Sequence, residues 1–136
     1  MGVILDTSVL IGWERRQADL QAFLEGRSGE PFGVSVITAA EMLHGVHRAN
    51  TPARRLRRSA FVERALSLLP VYDFDLAAAR IYAELWAGLR RQGSIVSAHD
   101  LMIGATALAR GFSVATFNPR DYRKIEGLTL EVIRVG

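Results

Sequence analysis

Short apolar runs alternate along this chain with longer segments of helical period. The short runs lie at residues 3–5, 32–37, 70–74, 112–117 and 128–133. Apolar runs of that length read as strands, and near-continuous apolar character marks strands buried on both faces of a parallel sheet. The last, LTLEVI, alternates apolar and polar residues as an edge strand does. Between them, apolar residues at intervals of three and four predict helices over 7–15, 19–26, 38–48, 52–69, 75–91 and 97–110. Thr38, Thr51 ahead of Pro52, and Asp75 suit helix starts, and Gly93 and Gly111 suit helix ends. Residues 27–31 form a polar loop with Gly29 and Pro31, and 118–124 a turn followed by a helical turn. Strands alternating with helices predict an α/β domain with a mostly parallel central sheet. No repeat or linker divides it, so residues 1–136 are expected to be a single domain.

Composition narrows the function. The chain has no cysteine, which excludes thiolate catalysis, disulfides and cysteine-held zinc. No apolar run approaches the ~18 residues needed to span a bilayer, and no basic segment precedes the first apolar run. The expectation is a soluble, cytoplasmic protein with no membrane association. Lys and Arg outnumber Asp and Glu by 17 to 14, and Lys124 is the only lysine. A surplus carried by arginine suits a phosphate-bearing partner.

The chemistry lies where apolar runs meet acids. In VILDTSVLI, Asp6 ends the first strand. A carboxylate there needs water, a donor or a cation, because an isolated buried charge is very costly. Glu41, Asp100 and the Asn118/Asp121 pair are three further polar points of this kind. Each has a plain structural explanation: Thr38-x-x-Glu41 and Ser97-x-x-Asp100 fit capping boxes, Asn118 can cap a turn holding Asp121, and Asp6 can cap the helix after it. Together they say more. Asp6 and Asn118 each follow an apolar strand, and Glu41 is expected in the first turn of a helix that follows one, so these points share the C-terminal edge of the sheet, where open α/β sheets bind ligands. The helix starting at Ser97 is expected to bring Asp100 there too. Clustered anions repel, and a divalent cation removes the repulsion; oxygen ligands without cysteine suit Mg²⁺ or Mn²⁺. Such a site fits metal-assisted phosphodiester hydrolysis, with Asp6, Asp100 and Asp121 as metal ligands and Glu41 as ligand or water-positioning group.

At these residues the chain resembles the PIN-domain family, in particular the VapC-type toxins of bacterial toxin–antitoxin pairs. The resemblance rests on ILDTSVLI, SVITAAEMLHGV around Glu41, SAHDLMIGATALARG around Asp100 and VATFNPRDYRKIEGL near the end, and covers essentially the whole chain. It implies a three-layer α/β/α sandwich and a Mg²⁺- or Mn²⁺-dependent endoribonuclease cutting structured RNA such as tRNA or rRNA. It also implies a homodimer held inactive by a VapB-type antitoxin. Asp6, Glu41 and Asp100 match the first three acids of the family motif. The pattern T-x-N-x-x-D-F/Y is met by Thr116, Asn118, Asp121 and Tyr122; Asp121 is expected to carry the charge and Asn118 to add hydrogen bonding. Thr7, Ser8 and Thr116 can orient the ligating carboxylates, Ser8 foremost.

The cluster Arg54, Arg55, Arg57 and Arg58 suits the RNA backbone or, equally, a solvated helix face or an acidic patch on a partner. Glu41, His44 and His47 step by three along one helix, which rotates them away from a common zinc ion. His99 reads as a flanking residue, and Tyr82 with Trp86 as core or dimer interface. Dehalogenase-like phosphatases start with D-x-D, whereas the residue two after Asp6 is Ser8. Receiver domains want paired acids on the first strand and a late lysine, and neither ILDTS nor VATFN supplies them. A catalytically silent binding module of the same fold is the alternative.

Overall fold

In a computed structural model, which describes residues 1–16, 19–27 and 29–134, five parallel strands share one sheet in the order β3-β2-β1-β4-β5. In chain order the elements are β1 (Val3–Leu5), α1 (Thr7–Glu14), α2 (Leu20–Glu25), β2 (Phe32–Ser35), α3 (Val36–Arg48), α4 (Pro52–Leu68), β3 (Val71–Tyr72), α5 (Leu76–Arg91), α6 (Ala98–Arg110), β4 (Ser113–Thr116) and β5 (Leu130–Val132). A single 3-10 turn, Tyr122–Lys124, stands between β4 and β5. Ser28, in the polar loop expected over 27–31, lies outside the described residues.

The two-residue period of a strand sends alternate side chains to opposite faces. Val3 and Leu5 pack with Val9, Leu10, Leu20, Val62 and Ala65 of α1, α2 and α4. Ile4 packs on the other face with Leu89 of α5 and with Leu101 and Ile103 of α6. The result is the expected three-layer α/β/α sandwich with an all-parallel sheet. Helix α3 straddles the sheet's C-terminal edge, giving Met42 to one core and Ile37 to the other. The α6 helix stops at Gly111, whose φ of 68° is the left-handed conformation that ends helices without a Cβ penalty.

The connectivity positions the site. From β1 the chain moves outward to β2 and β3, then crosses back to lay β4 on the other side of β1. The gap between the C-terminal ends of β1 and β4 is therefore the switch point at which such sheets bind ligands. Asp6 follows β1 there and Asn118 follows β4.

Several boundaries differ from the sequence reading. Residues 36 and 37 belong to α3, not to a strand. The α3 cap is Ser35, whose side chain accepts from the Ile37 N–H at 3.0 Å, and not Thr38. Glu41 consequently stands in the second turn, and no Thr38–Glu41 capping box forms. Ser35 and Thr38 are both possible caps by residue type; the sheet decides, because Ser35 still pairs with Tyr72. Strands β3, β4 and β5 are each shorter than the apolar runs that announce them. Asn118 caps no turn: the Tyr122–Lys124 turn is flanked by Asp121, which makes no side-chain cap bond. Among the described residues, no helix is long and apolar enough to cross a membrane.

Candidate active site

Asp6 is 5% exposed. Its Oδ2 accepts from Ser8 Oγ at 2.7 Å, from Thr116 Oγ1 at 2.8 Å and from the Ser8 N–H at 3.4 Å. Neither hydroxyl is free to turn away. Ser8 Oγ accepts from the Phe117 N–H at 3.2 Å, and Thr116 Oγ1 accepts from the Asn118 N–H at 2.9 Å. With an acceptor position already occupied on each oxygen, the protons point at Asp6. The end of β4 thus orients the carboxylate at the end of β1 through two hydroxyls. Asn118 contributes through its backbone N–H.

The other oxygen, Asp6 Oδ1, accepts from the Tyr122 hydroxyl at 2.8 Å, and that hydroxyl also stands 3.4 Å from Asp100 Oδ1. Tyr122 is buried to 1% exposure. Burial, with the charges of Asp6 and Asp100, pushes its ionisation well above the usual tyrosine range, so it remains a donor. Sequence reasoning placed Tyr122 only as a motif match. The available signal was a hydroxyl where the motif tolerates phenylalanine.

Asp100 comes from the first turn of α6. Only half of the expected capping box is made: Ser97 Oγ accepts from the Asp100 N–H at 3.2 Å. The reciprocal place at the Ser97 N–H is taken by Asp121 Oδ2, at 3.4 Å. This leaves the Asp100 carboxylate facing Asp6 across Tyr122. Burial first, then the charge of Asp6, raises its carboxyl from 3.8 to about 6, with Asp121 and Glu41 adding to the rise and Ser97 opposing it. Asp121 itself lies 3.5 Å from Lys124 Nζ.

Glu41 is held by a second hydroxyl relay. Its Oε1 accepts from Thr7 Oγ1 at 2.8 Å, and Thr7 Oγ1 lies 3.0 Å from Thr38 Oγ1. Since Thr7 spends its proton on Glu41, Thr38 is the donor of that pair. Fully buried, Thr38 is a positioning group that sequence reading took for a cap; a lone hydroxyl within VITAAEM is its signal. His99 Nδ1 stands 3.5 Å from Glu41 Oε2. Glu41, His44 and His47 do not converge on a zinc site: among the described residues no three His, Asp or Glu side chains could hold one ion.

That same observation tests the cation. Mg²⁺ keeps several waters and needs only one or two carboxylates, so a two-carboxylate site suffices. Asp6 and Asp100 are an all-oxygen pair already drawn to one hydroxyl, and burial followed by the charge of Asp6 raises the Asp100 carboxyl. The residues fit a hard divalent cation.

Helix α1 is a ridge between two grooves. On one side about 460 Å³ is lined by Thr7, Glu14, Glu41, His44, Arg48 and Arg58, with His99 at its edge. On the other side about 670 Å³ is lined by Ser8, Phe117, Asn118, Arg123, Ile133 and Arg134. Ile11 contributes to both. The arginine cluster is divided. Arg58 enters the first groove, near Glu14 and the Gly45 carbonyl. Arg54 bonds Asn50, Arg55 bonds the Ala49 carbonyl, and neither they nor Arg57 are among the described residues that line these two grooves. Trp86 is half exposed beside Tyr82, which packs against the core.

The PIN domain family matches residues 3–128. This chain belongs to the PIN-domain family. Several of its relatives are VapC proteins. It is 34% identical over 136 residues to Ribonuclease VapC1 of Rickettsia felis, covering 100% of this chain and 98% of that protein. It is 35% identical over 98 residues to the tRNA(fMet)-specific endonuclease VapC of Shigella flexneri, 72% of each. The DNA-bound VapBC structure from Salmonella typhimurium has a chain similar to this PIN domain with a TM-score of 0.85 and 30% identity, over 97% of this chain and 98% of that one.

Proposed function

We propose that this PIN domain is a VapC-type endoribonuclease that hydrolyses phosphodiester bonds of structured RNA such as tRNA, with Mg²⁺ or Mn²⁺ as its cofactor. The observation that carries the reading is the pair Asp6 and Asp100 held to one hydroxyl, with burial and the charge of Asp6 raising the Asp100 carboxyl and Asp121 and Glu41 adding to the rise. Asp6 and Asp100 would hold the cation, and Asp121 would act through water. When bound, the cation supplies Lewis-acid polarisation of the phosphate and a more acidic water. The chain's residues do the rest. Ser8, Thr116 and Tyr122 fix the Asp6 carboxylate so that no reorganisation accompanies the reaction. Glu41, set by Thr7 and Thr38, is placed to orient and deprotonate an attacking water. No side-chain nucleophile is required.

Arg58, beside Glu41, is the member of the arginine cluster to which we assign RNA contact. The same family reading supplies a VapB-type antitoxin as inhibitor, a cytoplasmic location and a homodimer, for which half-exposed Trp86 offers apolar surface.

The deciding experiment is cleavage of total tRNA by the purified, partner-free protein with Mg²⁺ or Mn²⁺, beside EDTA and Asp100→Asn. Discrete cuts that disappear in both controls are expected. Cleavage surviving Asp100→Asn would refute the site. A protein that binds Mg²⁺ and RNA yet never cuts would be the silent module.

A further inference from the structure

The two grooves beside α1 differ in charge. The one containing Glu41 mixes signs: Glu14 and Glu41 oppose Arg15, Arg48 and Arg58. The one bounded by β4 and β5 has no acid among its described lining residues and carries Arg123 and Arg134. Both arginines are exposed, and among the described residues neither is paired with a carboxylate. Between them the lining is Phe117, Pro119, Val132 and Ile133, an apolar floor fit for the faces of riboses and bases. The groove also meets the acidic site directly. Ser8 lines it and donates to Asp6, and Asn118 lines it while its N–H fixes Thr116 on the same carboxylate.

Resting on the endoribonuclease reading, we infer that the Arg123/Arg134 groove is a subsite for single-stranded RNA. It holds two phosphates on one side of the bond to be cut, and the strand crosses the N-terminal end of α1 to reach Glu41 and Arg58. Two guanidiniums with no carboxylate partner among the described residues, flanking an apolar floor, match a polyanion with flat apolar faces. No carboxylate stands among the described residues that line this groove, whereas Glu14 and Glu41 line the opposite one, so repulsion of phosphate is weaker on this side.

The test is fluorescence anisotropy of a labelled single-stranded oligoribonucleotide in EDTA, titrated at several salt concentrations. The Arg123→Glu/Arg134→Glu variant should bind about tenfold more weakly at low salt. Its log–log salt slope should be shallower by roughly 1.4, or ~0.7 for each of two phosphates on a single strand. Arg123→Gln/Arg134→Gln should show the same slope change with a smaller loss, which separates lost contacts from added repulsion. Arg80→Glu/Arg90→Glu, on the exposed face of α5 and outside both grooves, removes equal charge and should leave the slope unchanged. Equal losses from both pairs, or wild-type slopes in the groove variants while the wild type cleaves RNA, would overturn the subsite and leave the ribonuclease reading intact. The latter outcome would leave the groove to an acidic peptide. A wild type that neither binds nor cuts RNA would overturn both.

Discussion

The inner and outer carboxylates of the cluster are held by different means. Asp6 is buried and takes hydroxyl donors on both oxygens. Asp121 is more open and is tied by a backbone N–H and by Lys124 at 3.5 Å. Burial explains the contrast. A carboxylate removed from water needs donors with fixed directions, while an exposed one tolerates a screened ion pair of small worth. The inner pair is therefore built to a geometry, and the outer one supplies mainly field.

The largest test of that contrast is Asp6→Asn against Asp121→Asn. Asp6→Asn should reduce cleavage of tRNA by about a thousandfold, roughly 4 kcal/mol of lost transition-state stabilisation. Asp121→Asn should lose only about tenfold, roughly 1.4 kcal/mol on the same scale. Equal losses, measured as initial rates at saturating Mg²⁺, would erase the distinction.

A smaller effect is expected at Tyr122. Tyr122→Phe keeps the ring that fills the core but removes the donor shared by Asp6 and Asp100. Losing such an orienting partner typically weakens metal affinity by about 10–100-fold, and calorimetric titration of Mg²⁺ should show that loss. A purely structural hydroxyl would lower the melting temperature and leave the affinity unchanged.

The smallest expected signal concerns pH. The Asp100 carboxyl is raised from 3.8 to about 6, so the folded state binds this proton more tightly than the unfolded chain does. Between those values the folded state carries more protons, and its contribution to stability falls as pH rises. In EDTA, the melting temperature of the wild type relative to Asp100→Asn should therefore decline from pH 4 to pH 6 and then level off. A flat difference would mean that burial and the charge of Asp6 do not raise the Asp100 carboxyl.

Much of this was legible beforehand. Apolar runs before Asp6 and Asn118 announced strand ends, and the expected approach of Asp100 to Asp6 is seen at the Tyr122 hydroxyl. Thr7, Ser8 and Thr116 were expected to orient carboxylates; the structure puts Ser8 and Thr116 on Asp6 and Thr7 on Glu41. What failed was local competition. Ser35 and Thr38 are equally good caps by type, and strand pairing with Tyr72 chose Ser35. The Ser97–Asp100 motif looked self-contained, yet Asp121 took half of it.

By itself, then, the sequence determined the order of elements, the parallel sheet and the identity of the acids, since these follow from periodicity and residue chemistry within short windows. Only the tertiary structure decided that Tyr122 joins Asp6 to Asp100, that Thr38 serves Glu41 through Thr7, and that Arg58 and Arg123 flank opposite sides of α1. The hydrogen bonds behind those meetings span separations from 22 to 116 positions. They depend on which strand the crossover places beside β1, a choice made by the packing of whole layers rather than by any local pattern.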